Sequence, residues 1–302
     1  MTDHSGGIHV SGTTVNFGGP VAGRDMTYHA APQAGPGATG SARPRRSADV
    51  AVLTIIDEEI RAVQATLQRM RDYRERRLSY GPLAREAWLP DAENRPIRVA
   101  AVQTYTRGTD SAGLAYRELV AEYNPAVVLL VGIAGGVNPK VRVGDVVISD
   151  QVIAYDARRE AAGHTYRRGQ AQAIARPLGD RLNDFMSKTT AEQVRPDGET
   201  FHIRRGPIGS GNAVVTDARS EIRRWLAEFN EKVMAVETEA AGVAQSFHES
   251  AQQDDSPRGW LTIRGISDTA DKKKGHSYHD LAARHAAEVM ALILPFLVFD
   301  EK

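Results

Sequence analysis

Three apolar runs in this 302-residue chain each break off at carboxylates, and that recurrence limits the folds open to it. Asp49 to Ile56 is continuous, apolar and rich in β-branched residues, the composition of a strand buried on both faces of a parallel sheet. Asp57-Glu58-Glu59 and a helical stretch follow at once. Val233 to Val236 ends in Glu237 and Glu239 and passes into the helix-forming Ala240 to Ala244, and Leu261 to Ile266 ends abruptly in Ser267-Asp268. Such strands, interleaved with helices, build an open α/β sheet whose ligands bind outside the carboxyl ends of the strands. Glu59, Glu237, Glu239 and Asp268 are therefore expected in one crevice. Taken singly, a carboxylate after a strand also does nothing more than suit a helix N-terminus.

Lys+Arg and Asp+Glu balance at 38 each, so bulk charge gives no reason to expect nucleic acid or an anionic membrane as a partner. The absence of cysteine excludes a disulfide framework, a thiolate zinc site and a cysteine nucleophile together, and fits a reducing cytoplasm. The opening residues lack a basic stretch followed by an apolar core, and no apolar run reaches membrane-spanning length, so neither a secretory leader nor a membrane anchor is expected.

Ahead of the strand at Asp49 lie two segments of different character. In Gly6 to His29, Ile8, Val10, Val15 and Phe17 alternate with polar residues, but two such strands make no stable core alone. The segment is either a Gly-rich tail or a motif that stacks between chains as cross-β structure, with Asn16 available for side-chain laddering. It resembles the amyloid signalling motifs of bacterial immune effectors and their receptors, which implies a receptor carrying a similar motif as partner. Residues 30–47, rich in Pro, Gly and Ala with Arg43, Arg45 and Arg46, read as a flexible linker. The expected organisation is a motif over 1–29, a linker over 30–47 and a folded domain over 48–302.

Within that domain Ile97 to Tyr105 reads as a strand, Gly108 to Tyr123 as a helix and Val127 to Val131 as a central strand ending in a Gly-rich turn, Gly132 to Val137. Gln170 to Lys188 reads as a helix, Thr200 to Ile208 as a strand, and His276 to Phe299 as a closing amphipathic helix. Arg74 to Arg95 is polar and irregular and takes no assignment.

Val236-Glu237-Thr238-Glu239-Ala240 resembles the Val-Glu-Met-Glu-Ala of the purine nucleoside phosphorylase/hydrolase superfamily, and within it of the methylthioadenosine/S-adenosylhomocysteine nucleosidases. Arg264-Gly265-Ile266-Ser267-Asp268 is similar to their Arg-Ala-Ile-Ser-Asp, and Ile56-Asp57-Glu58-Glu59-Ile60 to their Met-Glu-Glu-Glu-Val. The Gly-rich stretch with Val143 to Val147 resembles their Gly-Ser-Ala-Gly-Gly and Val-Gly-Asp-Ile-Val, and Ser210 to Val215 their Ser-Gly-Asp-Ala-Phe-Ile. The resemblance implies an α/β/α three-layer sandwich around a twisted, mostly parallel sheet, a homo-oligomer, no cofactor, and cleavage of the N-glycosidic bond of a purine nucleoside or nucleotide.

Breaking that bond builds positive charge on the ribose and negative charge on the base, so three tasks fall to side chains. By resemblance Asp268 protonates the base near N7, Glu239 holds the ribose hydroxyls and Glu59 orients water, with Glu237 assisting. An acid role for Asp268 calls for a raised pKa or a proton shared with the base. Ile133, Ala134, Gly135, Val214, Val215 and Ser267 complete the implied substrate contacts. Phosphorylases of the superfamily grip phosphate with an arginine and a serine where this chain has Leu130 and Ile133, which favours water as nucleophile.

After Asp268 the chain places Lys272, Lys273, Lys274 and Tyr278 where the nucleosidases have uncharged residues and a phenylalanine. A lysine run usually makes a solvated turn. Here, joined by Arg158 and Arg159, it suits a phosphate chain, so a purine nucleotide such as ATP is the expected substrate of an effector in an anti-phage response. The alternatives are a housekeeping nucleosidase and an inactive nucleotide-binding adaptor. His276, His279 and His285 lie close in sequence, but the separation of the last two does not suit a helical metal pair, and no metal is expected.

Overall fold

The computed structural model describes residues 48–90, 95–195, 198–250, 257–270 and 278–299. The segment 1–29, the linker 30–47, Lys272 to Lys274 and His276 lie outside them. The strands are β1 (Val50–Thr54), β2 (Arg71–Arg77), β3 (Leu83–Pro90), β4 (Pro96–Gln103), β5 (Val127–Gly136), β6 (Val146–Ser149), β7 (Gln151–Ala154), β8 (Arg158–Ala161), β9 (His164–Arg167), β10 (Gln170–Ala173), β11 (Glu192–Val194), β12 (Thr200–Arg205), β13 (Ile208–Ser210), β14 (Ala235–Glu237) and β15 (Gly259–Asp268). The helices are α1 (Asp57–Leu67), α2 (Thr109–Tyr123), α3 (Arg176–Lys188), α4 (Glu221–Phe229), α5 (Ala240–Ser250) and α6 (His279–Ile293).

The apolar runs pair as β4-β1-β5-β15, all parallel. Because successive side chains point to opposite faces, each run supplies two layers of core. Val50, Val52, Val127, Leu129 and Val131 pack on one face against Ile60 and Val63 of α1, Leu178 and Phe185 of α3, and Val289 and Met290 of α6. Ala51, Leu53, Val128 and Leu130 pack on the other against Tyr116 and Leu119 of α2 and Val243 and Phe247 of α5. The result is the three-layer α/β/α sandwich. Each fully buried Val, Leu or Phe of these layers contributes roughly 1.5–3 kcal/mol, enough for the two faces to fix strand order and register. Gly265 lets α6 lie on β15, since a Cβ there would come 1.9 Å from the Ala282 carbonyl oxygen.

Two local expectations are corrected, the helix start at Gln170 and the turn at Gly132, and the structure adds two features of the sheet. The sheet is mixed outside its core: β3, β2 and β10 extend it antiparallel, and β6 runs antiparallel to β15. The unassigned Arg74 to Arg95 contains the β2–β3 hairpin. Strand β2 is nearly all charged and β3 buries Glu86 alongside Ala84 and Ala87, so no clear apolar alternation announces the hairpin. Glu86, 1% exposed, accepts from Arg74 Nε at 2.7 Å, Arg98 Nη2 at 2.8 Å and the Tyr123 hydroxyl at 2.8 Å. Burial acts to raise its pKa, but these partners outweigh it and hold Glu86 at about 2. The helix expected from Gln170 begins only at Arg176, with Pro177 in its first turn, because Gln170–Ala173 is drawn into the sheet as β10. Gly132–Gly136 is no turn but the end of β5, held between β15 and β14.

Candidate active site

β5 is the axis of the site. Gly135 pairs with Asp268 on β15, across a register shift that leaves Ser267 as a bulge, and with Val236 on β14. Two carboxylate-bearing strand ends are thereby brought to either side of one glycine. A Cβ on Gly135 would stand 3.0 Å from Asp268 Oδ1. On the remaining flank, Glu59 of α1 turns back on the strand-to-helix junction. Its Oε2 accepts the N–H groups of Ile55 and Ile56 at 2.6 and 3.1 Å, and its Oε1 accepts the N–H of Ile133 at 2.9 Å.

Beneath them lies Arg264, at 0% exposure. Its Nη2 bonds Glu237 Oε2 and lies 3.3 Å from Glu239 Oε2, while its Nη1 stands 3.7 Å from Glu59 Oε1. Burial works against the guanidinium charge, but Glu237, Glu239 and Glu59 together raise its pKa. In turn, burial raises the pKa of Glu59 and of Glu237, with Arg264 opposing in both cases and Glu239 adding to the rise at Glu237. Arg264 Nη1 has no hydrogen-bond partner among the described residues. Gly132 makes room for the whole group, since a Cβ there would fall 2.2 Å from Arg264 Nη1 and 2.3 Å from Glu59 Oε1.

Glu237 also accepts the N–H groups of Glu239 and Ala240 at the start of α5. Glu239 accepts from the Gly108 N–H at 3.2 Å and from the Thr238 hydroxyl. Asp268 accepts the Ala270 N–H at 2.7 Å and the Ser267 hydroxyl at 3.0 Å.

Glu59, Glu237, Glu239 and Asp268 line one open cleft of ≈ 360 Å³, with Arg264 buried behind them, within the size range of small-ligand sites. Of the residues expected from sequence, Glu59, Ile133, Ala134, Gly135, Val214, Val215, Glu237, Glu239, Ser267 and Asp268 all border it. Leu130 does not, being fully buried in the core. Arg158 and Arg159 are also absent from the lining: they belong to the separate β8–β9 hairpin, where Arg158 pairs with Glu160 and Arg159 lies 4.5 Å over the Tyr166 ring. Tyr278, half exposed at the N-cap of α6, does not border the cleft either, and the adjacent His279 does. A step of one residue at a helix start swings the side chain to a different face. His285 serves the core, stacked on Phe201 and within 2.6 Å of the Gly144 carbonyl oxygen.

Arg264, Arg107, Tyr155, Asn212 and His279 were not identified as site residues from the sequence. The Tyr155 hydroxyl lies 2.9 and 2.8 Å from the carbonyls of Gly211 and Ala213 and so fixes the loop that carries Val214. The sequence does carry a signal for Arg264: an arginine inside an apolar strand demands buried carboxylate partners.

Residues 58–297 match the model of a family described as the phosphorylase superfamily. A 5'-methylthioadenosine/S-adenosylhomocysteine nucleosidase of Anoxybacillus flavithermus is 32% identical over 192 residues, covering 62% of this chain and 76% of the relative. Among solved structures, a nucleosidase of the same description from Neisseria meningitidis, in complex with methylthio-immucillin-A, matches at TM-score 0.62 and 24% identity over 82% of this chain and 98% of its own. One from Colwellia psychrerythraea 34H, in complex with adenine, matches at TM-score 0.65 and 21% identity, over 83% and 96%. The futalosine hydrolase of Helicobacter pylori strain 26695 matches at TM-score 0.62 and 17% identity, over 82% and 97%.

Proposed function

The chain belongs to the phosphorylase superfamily and is an enzyme of its N-glycosidase class, and from that premise we propose that it hydrolyses the bond between a purine base and the ribose of a nucleoside or nucleotide. The observation that carries this is the convergence of Glu59, Glu237 and Glu239 on one buried arginine, in the same cleft as Asp268. Holding three carboxylates out of water is costly for stability alone, so their placement at a cleft points to chemistry.

In the proposed reaction the bond from C1′ to the base nitrogen breaks and its electron pair goes to the ring. Asp268 delivers a proton to the base near N7, so the base leaves neutral. Water adds to C1′ and gives a proton to Glu59, with Arg264 Nη1 as a donor beside it. Glu239 accepts hydrogen bonds from the ribose hydroxyls, whose strength grows as charge develops on the sugar. Water is favoured over phosphate because Leu130 lies in the core and Ile133 offers the cleft no cation. Incubation with adenine and guanine nucleosides and nucleotides, with products resolved by chromatography, tests the proposal. Free base together with ribose or ribose phosphate is the expected product, and intact substrates across the panel would overturn it.

Within the same proposal the substrate is a purine nucleotide such as ATP, supported by the Lys272-Lys273-Lys274 run that follows Asp268 in sequence. A cell losing its nucleotide pool halts phage growth, and residues 1–29 are the segment that gathers the enzyme onto a receptor with a similar motif and raises its local concentration. Preference for methylthioadenosine over ATP would instead assign a housekeeping nucleosidase.

A further inference from the structure

Among the described residues that border the cleft, Arg107 is the one arginine, and it shares that lining with Glu59, Glu237, Glu239 and Asp268. It is exposed and makes no hydrogen bond or ion pair with any described residue. An arginine beside four carboxylates ordinarily folds in to pair with one of them. Two features of its loop set its position. The next residue, Gly108, donates its N–H to Glu239 Oε1 at 3.2 Å, and the Thr109 N–H donates to Asn212 Oδ1 at 3.0 Å. Gly108 has φ +103°, and a Cβ on it would stand 2.8 Å from Asn212 Oδ1, so only glycine lets the loop approach this closely. The backbone beside Arg107 is therefore anchored to the very carboxylate assigned to the ribose hydroxyls.

That anchoring locates the guanidinium along the substrate. With the base toward Asp268, the hydroxyls on Glu239 and C1′ toward Glu59, C5′ is the ribose carbon left to carry a group past Glu239 to the rim. We infer that Arg107 selects a 5′ phosphate, its planar fork binding phosphate oxygens where the cleft would otherwise repel an anion. This rests on the N-glycosidase assignment and deepens it: the specificity for nucleotide over nucleoside resides in Arg107. A carboxylate at the end of an alkylthio chain is a different anion, standing several bonds farther from the sugar.

The test compares adenosine, adenosine 5′-monophosphate and S-adenosylhomocysteine, in the wild type and in Arg107→Gln and Arg107→Lys. Affinity is measured by calorimetry in an Asp268→Asn background and turnover by base release. The monophosphate is expected to exceed adenosine by roughly tenfold to a hundredfold in both measures. Arg107→Gln collapses that ratio toward one and Arg107→Lys restores part of it. A ratio near one in the wild type, a ratio unchanged by Arg107→Gln, or a collapse confined to S-adenosylhomocysteine would each overturn the inference. Failure of base release from every compound would sink the hydrolase proposal alone, because the affinity ratio still tests Arg107.

Discussion

Oε1 of Glu59 accepts the backbone N–H of Ile133 at 2.9 Å, joining the first turn of α1 to the far end of β5. That bond aims a carboxylate that burial drives toward its neutral form, its pKa raised above the ordinary 4.5. A general base must be ionised, so kcat/KM is expected to fall as pH drops through this raised value, with the acid limb lying above 4.5. Burial raises Glu237 too, so the acid limb carries contributions from both carboxylates. Both groups bind their proton more tightly folded than unfolded, and the stability they contribute is lost as pH rises through their folded pKa values. A pH–rate profile flat to below 4.5 would remove Glu59 as the ionised base.

Asp268→Asn keeps the side-chain shape and the bond from Ala270 while removing the ionisable proton. Turnover is expected to drop by roughly a hundredfold or more with the thermal transition little changed. Base release near the wild-type rate would take Asp268 out of the mechanism.

Gly132→Ala puts a methyl group where Arg264 and Glu59 already lie. Displacement of the pair should cost about 1–3 kcal/mol in stability and roughly a hundredfold in kcat. Urea unfolding and steady-state kinetics measure the two separately. A fully active variant would mean that the Arg264–Glu59 geometry is not needed for the reaction.

Glu86 gives a stability prediction independent of the site. Its carboxylate is held at about 2, so roughly 3 kcal/mol of stability, present above its ordinary 4.5, is lost as pH falls toward 2. Glu86→Ala leaves Arg74, Arg76 and Arg98 facing one another and should cost about 3–5 kcal/mol at neutral pH. Denaturant titrations across pH check both, and an acid-insensitive wild type would rule out the pairing as a source of stability.

A synthetic peptide of Gly6 to His29 is expected to form fibrils diffracting at about 4.7 Å and about 10 Å. A chain lacking it should still release base. A peptide that stays coil-like at high concentration would identify the segment as a tail and remove the assembly role.

The chain's own sequence determined the layers and most of the cleft. Asp49 to Ile56, Val127 to Val131 and Leu261 to Ile266 carry apolar residues on both faces of a two-residue period, and such runs are satisfied as strands covered on both faces. A carboxylate at the end of such a strand has one place to go, which is why Glu59, Glu237, Glu239 and Asp268 were legible as a group. What only the tertiary structure decided is how those charges are held. Arg264 meets Glu237 and Glu239 across 27 and 25 residues, and Ile133 meets Glu59 across 74. Pairing over such separations depends on strand order and register, which no local pattern encodes. For the same reason β2 looked irregular until Glu86 supplied its partners, and Arg158 and Arg159 carried the right charge on the wrong hairpin. Arg107, one residue from the glycine that reaches Glu239, had no pattern to betray it.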